Sequence, residues 1–167
     1  MSDAKVRGAL NSREDADSGA AGPMSARERG KPAALRATVM ALLTALVVQY
    51  LLGVYANLEV SFPAPGAGST TAAAMQTVMS SPGLLVHVGL GFVLVVLGVA
   101  AVLLAARSGG GAALWLALAG LLAVVGAGVA GMIFVMSGQG AAASFVMAVG
   151  FLVSFSCYFA ELALTRS

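Results

Sequence analysis

One cysteine and one histidine in 167 residues leave little material for thiol or metal chemistry. Cys157 cannot close an intrachain disulfide or build a cysteine-based metal site by itself, and it lies inside an apolar run. There is no His-Glu-x-x-His, no Walker A sequence and no Gly-x-Ser-x-Gly, so the familiar hydrolase and phosphotransfer sites are absent. Charge is scarce too: charged residues make up 10% of the chain, where soluble domains carry about 25%. The net charge of +2 does not point to nucleic acid, because no aromatic residue interleaves with the N-terminal basic residues to stack on bases.

What the chain has in excess is apolar surface. Hydrophobic residues reach 59% and fall into four blocks, so lipid is the expected solvent for much of that surface. A helix crosses the roughly 30 Å hydrocarbon core with about 20 residues and satisfies its own backbone hydrogen bonds on the way. The expected fold is therefore all-α, a four-transmembrane-helix bundle with a disordered N-terminal tail. The spans are expected at 37–58, 84–106, 113–136 and 141–164, with the tail at 1–34, the membrane domain at 35–167 and a long loop at 59–82. The tail is rich in Ala, Gly, Ser, Arg and Asp and ends in Gly30-Lys31-Pro32, too polar to offset its ordering entropy. Prolines and glycines exclude a span from the loop, although Thr71 to Met79 can form a short interfacial helix carrying Met75 and Met79. The loop contains no Lys or Arg, while Arg27, Arg29, Lys31, Arg36 and Arg107 gather at the other ends of the spans. The positive-inside rule then places both termini in the cytoplasm of a multi-pass cell-membrane protein, with Trp115 as an anchor at the inner headgroups.

Small residues mark the expected packing faces. In the first span Ala37, Ala41, Ala45, Gln49, Gly53 and Asn57 recur every fourth position, a ridge expected to face the bundle with Leu43, Leu46, Val47 and Tyr50 toward lipid. His87, Gly91, Leu94, Gly98, Ala101 and Ala105 share a face of the second span, and Ala119, Ala123, Ala127 and Gly131 form a ridge on the third. The fourth is expected to turn Ala143, Met147, Gly150, Ser154, Cys157 and Glu161 inward, and Phe145, Val149, Leu152 and Phe159 toward lipid. Gly126-Ala-Gly-Val-Ala-Gly131 matches the dinucleotide fingerprint literally. In the middle of an apolar helix its N–H groups are already used, so it reads as a packing surface.

Two ionisable side chains lie within the spans. His87 is expected near Tyr55, Asn57, Met132 and Met136, where an imidazole facing thioethers can ligate haem iron or Cu(I). The plainer reading is a histidine hydrogen-bonded to Asn57 or a backbone carbonyl. Glu161 is expected one turn from the inner end, pairing with Arg36 or Arg107 to close the bundle.

Gln49-Tyr-Leu-Leu-Gly53, then Asn57-Leu58, a loop with Pro63 and His87-Val-Gly-Leu-Gly91 together resemble one half of the haem A synthase family. The same residues resemble, more nearly, uncharacterised four-helix bacterial integral membrane proteins with a Gln-x-Leu-Leu-Gly start and a His-x-x-Leu-Gly second helix. Of the paired histidines of haem A synthases this chain has one, so the resemblance implies only His87 as an axial haem ligand. The resulting expectation is a membrane protein without a catalytic residue, an accessory or interaction subunit touching the lipid bilayer and another membrane protein or a second copy. A haem- or copper-associated redox protein using His87 is the alternative, and a small-solute transporter the second.

Overall fold

The structure, a computed structural model, describes residues 26–61, 71–137 and 139–165, the side chains of 26–32, 71 and 74 excepted. Five helices follow in order: α1 (Ala26–Glu59), α2 (Thr71–Ser80), α3 (Pro82–Arg107), α4 (Gly111–Met136) and α5 (Ala141–Leu164). The expected disordered tail falls outside the described residues up to position 25; from Ala26 the chain is helical, so α1 begins earlier than the 37–58 span. Four helices are long and apolar enough to cross a membrane: Ala33–Glu59, Pro82–Arg107, Gly111–Met136 and Ala141–Leu164. The described part of the chain is all-α, and these four pack together in the unit Lys31–Ser167.

Local chemistry sets the ends of the helices. Pro82 starts α3, where its missing N–H costs nothing. At the other end Ser108 caps the helix, its hydroxyl donating to Ala105 O at 2.9 Å, and Gly109 takes a left-handed φ of 72° that turns the chain toward α4. The turn between α4 and α5 uses Gln139 at φ 68°, a left-handed conformation in a residue with a side chain. Its backbone N–H donates to Phe134 O at 3.0 Å, and its amide Nε2 donates to Val60 O at 2.5 Å, tying this turn to the end of α1.

Inside the bundle each apolar helix presents residues spaced alternately by three and four, the period that keeps one seam against its neighbours. On α1 that seam is Leu35, Val39, Leu42, Leu46, Gln49, Gly53 and Ala56, the four aliphatic residues fully buried and the two at 49 and 53 half-buried. The expected ridge on this helix is therefore corrected. Ala37, Ala41 and Asn57 are exposed, and Leu46, expected toward lipid, is buried. Steps of four advance about 40° too far on each repeat, so such a row leaves the interface at both ends and meets it only from Ala45 to Gly53. Tyr50 keeps one side exposed and stacks on Phe151 of α5 at 4.7 Å.

The other faces follow expectation more closely. On α3 Leu94, Gly98, Ala101 and Ala105 are buried, with His87 and Gly91 half-buried. On α5 Ala143, Ser154 and Glu161 are buried, while Phe145, Val149, Leu152 and Phe159 are exposed. On α4 Ala119 is exposed, but Ala123 and Ala127 carry a close approach to α5: a Cβ on Gly150 would come within 2.8 Å of Ala127 Cβ and 3.0 Å of Ala123 O. Trp115 is exposed near the start of α4. α2, the expected short helix, buries Val78 with Ala56, Leu84, Phe134 and Ala143, and leaves Met75 and Met79 exposed.

Candidate functional site

Polar side chains are held inside this bundle at two places. The first lies between α1 and α3, in the half of the bundle next to α2. The Gln49 amide nitrogen donates to His87 Nε2 across 3.3 Å, which places the ring proton on Nδ1. Four residues beyond Gln49 on α1 is Gly53, and four beyond His87 on α3 is Gly91. A Cβ on Gly53 would come 3.3 Å from His87 Cε1, and one on Gly91 would come 3.5 Å from Gln49 Nε2. The helices are antiparallel, so each lays its polar side chain over the other's glycine. That reciprocal fit is the physical content of the Gln-x-x-x-Gly and His-x-x-x-Gly spacings.

A third contact continues the row. A Cβ on Gly83 would come 2.8 Å from Tyr55 Cε1, so the Tyr55 ring covers the start of α3. The partner of His87 is not the expected Asn57 but Gln49, with the α1 backbone at Gly53 beside the ring; Asn57 is exposed, about 80° around α1 from Gln49. Met132 and Met136 stand on an exposed side of α4, at 69% and 58% exposure. Among the described residues, the buried atoms Gln49 Oε1 and His87 Nδ1 have no hydrogen-bonding partner. No group of three His, Cys, Asp or Glu side chains able to hold a metal ion occurs among the described residues.

The Gln49–His87 bond has a measurable consequence. Gln49→Leu strips Nε2 of its donor and leaves that nitrogen of a half-buried imidazole unsatisfied, which is expected to cost about 1–3 kcal/mol. Detergent unfolding read by circular dichroism checks this, and an unchanged midpoint would show that the amide contributes nothing.

The second place is on α5, toward the Arg107 end. Ser154, Tyr158 and Glu161 are 1%, 0% and 0% exposed. Ser154 Oγ donates to Phe151 O at 2.9 Å and is satisfied within its own helix. Tyr158 reaches across the bundle between two glycines: a Cβ on Gly120 of α4 would lie 2.7 Å from its Cζ, and one on Gly98 of α3 would lie 3.0 Å from its hydroxyl. Glu161, one turn further along, lies within electrostatic range of Tyr158 and Cys157. Neither carboxyl oxygen of Glu161 has a hydrogen-bonding partner among the described residues, and neither does the Tyr158 hydroxyl. Arg36 and Arg107, the expected ion-pair partners, are both exposed.

Tyr158 is the residue that the inward face read from the sequence leaves out, in favour of Cys157. Helical arithmetic contains the signal. Measured from Ser154, Tyr158 lies about 40° to one side and Cys157 about 60° to the other, so the tyrosine is nearer the buried meridian. Cys157 is half-buried. No family model, no curated protein and no solved structure matches this chain.

Proposed function

We propose that this multi-pass membrane protein is an accessory or interaction subunit, one that associates with another membrane protein or with a second copy of itself. The observation that carries this reading is the outward turn of the small-residue ridge on α1. Ala34, Ala37, Ala41 and Thr44 are exposed on one side of a helix whose opposite side is filled by Leu35, Val39, Leu42 and Leu46. Thr44 Oγ1 donates to Met40 O at 3.0 Å, so the ridge offers lipid no unsatisfied hydroxyl there. In lipid there is no hydrophobic gain from pairing apolar helices, and close backbone approach over small side chains is what favours association. The orientation that goes with this reading has both termini in the cytoplasm. It is supported by Arg36 near the start of α1 and Arg107 at the end of α3, which antiparallel packing brings to one end of the bundle.

Ala41→Leu separates association from folding, because position 41 is exposed and a leucine there enters no packed seam. The variant is expected to melt like the parent while its crosslinked species in native membrane are lost. Monomers alone in the parent, or crosslinking unchanged by the substitution, would defeat the reading. The redox alternative rests on His87 as the one imidazole in the spans, and to ligate a metal the ring has to give up its Nδ1 proton or the Gln49 bond at Nε2. Bound copper or a Soret band in the purified protein that disappears in His87→Ala would put that reading in its place.

A further inference from the structure

The packing of the bundle leaves the carboxyl of Glu161 and the hydroxyl of Tyr158 without use, and the two sit one turn apart on α5. We propose that Glu161, with Tyr158 beside it, is a reversible proton-binding site inside the membrane domain, the carboxyl being carried there as the neutral acid. An ionised carboxylate only accepts hydrogen bonds, and burying one without donors or a cation is far more costly than burying the acid. Glu161 is fully buried, and both its oxygens lack a partner among the described residues.

Among the described side chains, the neighbouring helices bring no compensating charge beside Glu161. From α1 the described cation is Arg36, and from α3 it is Arg107; both are exposed. The remaining titratable groups with described side chains on these two helices, Tyr50, Tyr55 and Glu59 of α1 and His87 of α3, lie toward the α2 end, and α4 has none. On α5 itself the facing groups are Tyr158 and Cys157, both neutral donors. A phenol beside a carboxylic acid can give or take one hydrogen bond as the proton comes and goes. Glu161 lies about 5 Å along the axis from the Leu164 end of α5, so protons need cross only about one helical turn to reach it. The site does not depend on association with a partner.

Infrared spectroscopy of the full chain in phosphatidylcholine vesicles tests this. At neutral pH a carbonyl stretch of a protonated carboxyl is expected, although exposed acids are ionised there. It should vanish on alkalinisation, return on acidification, be lost entirely in Glu161→Gln and shift in Tyr158→Phe. If Glu161→Gln fails to fold, glutamate labelled with ¹³C in its side-chain carboxyl assigns the band in the parent protein by its isotope shift. A parent spectrum with no protonated carboxyl at neutral pH would overturn the proposal. So would a band that survives in folded Glu161→Gln, or one that no change of pH can move.

Discussion

Tyr158→Ala is expected to cost the bundle about 3–5 kcal/mol, the range for emptying a buried aromatic site. The ring is fully buried and lies against both Gly98 and Gly120, so its removal leaves three helices facing a void. The reciprocal change is also harmful: Gly120→Ala puts a methyl 2.7 Å from Tyr158 Cζ, and overpacking of this kind costs about 1–3 kcal/mol. Because both substitutions act on the same contact, their effects should not add. The double variant is expected to be more stable than the sum by about 0.5–3 kcal/mol, as for residues in contact. Denaturant titration of all four proteins in one detergent measures the cycle. Strict additivity would mean that the ring does not occupy the gap between α3 and α4.

Glu161→Met is expected to raise stability by about 1–3 kcal/mol, the scale of the penalty for an unsatisfied buried polar group. Methionine keeps the length of the side chain and fills the same buried position without polar atoms. The sign is the informative part. Had the carboxylate been closing the bundle against Arg36 or Arg107, its replacement would lower the melting temperature instead. A lower melting temperature in the same detergent would therefore restore the ion pair in place of the unpartnered acid. A gain in stability fits a group kept for a purpose other than holding the fold.

Much of the architecture is legible from hydrophobic blocks alone. A run of some two dozen apolar residues without a charge, such as Leu84 to Ala106, has few alternatives to a membrane-spanning helix. The inward faces of α3 and α5 are legible as well, because there small and polar residues contrast with bulky ones on the other side. The face of α1 is not, and the reason is specific. Both of its sides carry credible packing residues, alanines every fourth position on one and leucines alternating by three and four on the other. A lipid-facing leucine and a core leucine have the same composition, so hydropathy cannot choose between them.

The polar residues divide in the same way. Gln49, His87 and Glu161 stand out in a sequence of aliphatics, and each is at a buried or half-buried position. Their partners do not stand out, because the Gln49–His87 bond joins residues 38 apart and depends on the register between α1 and α3. Tyr158 escaped because the sequence weighs a cysteine and a tyrosine one position apart as near equals, whereas Gly98 and Gly120 leave room for the larger ring alone.

Composition and the lengths of the apolar runs were enough to settle four membrane-crossing helices, since lipid imposes its demand on each segment separately. Which side of α1 faces inward, that Gln49 meets His87 over paired glycines, and that Glu161 is enclosed without a cation among the described side chains were decided only by the assembled bundle. Those outcomes come from the relative rotation and register of neighbouring helices, two quantities that no single helix carries in its own residues.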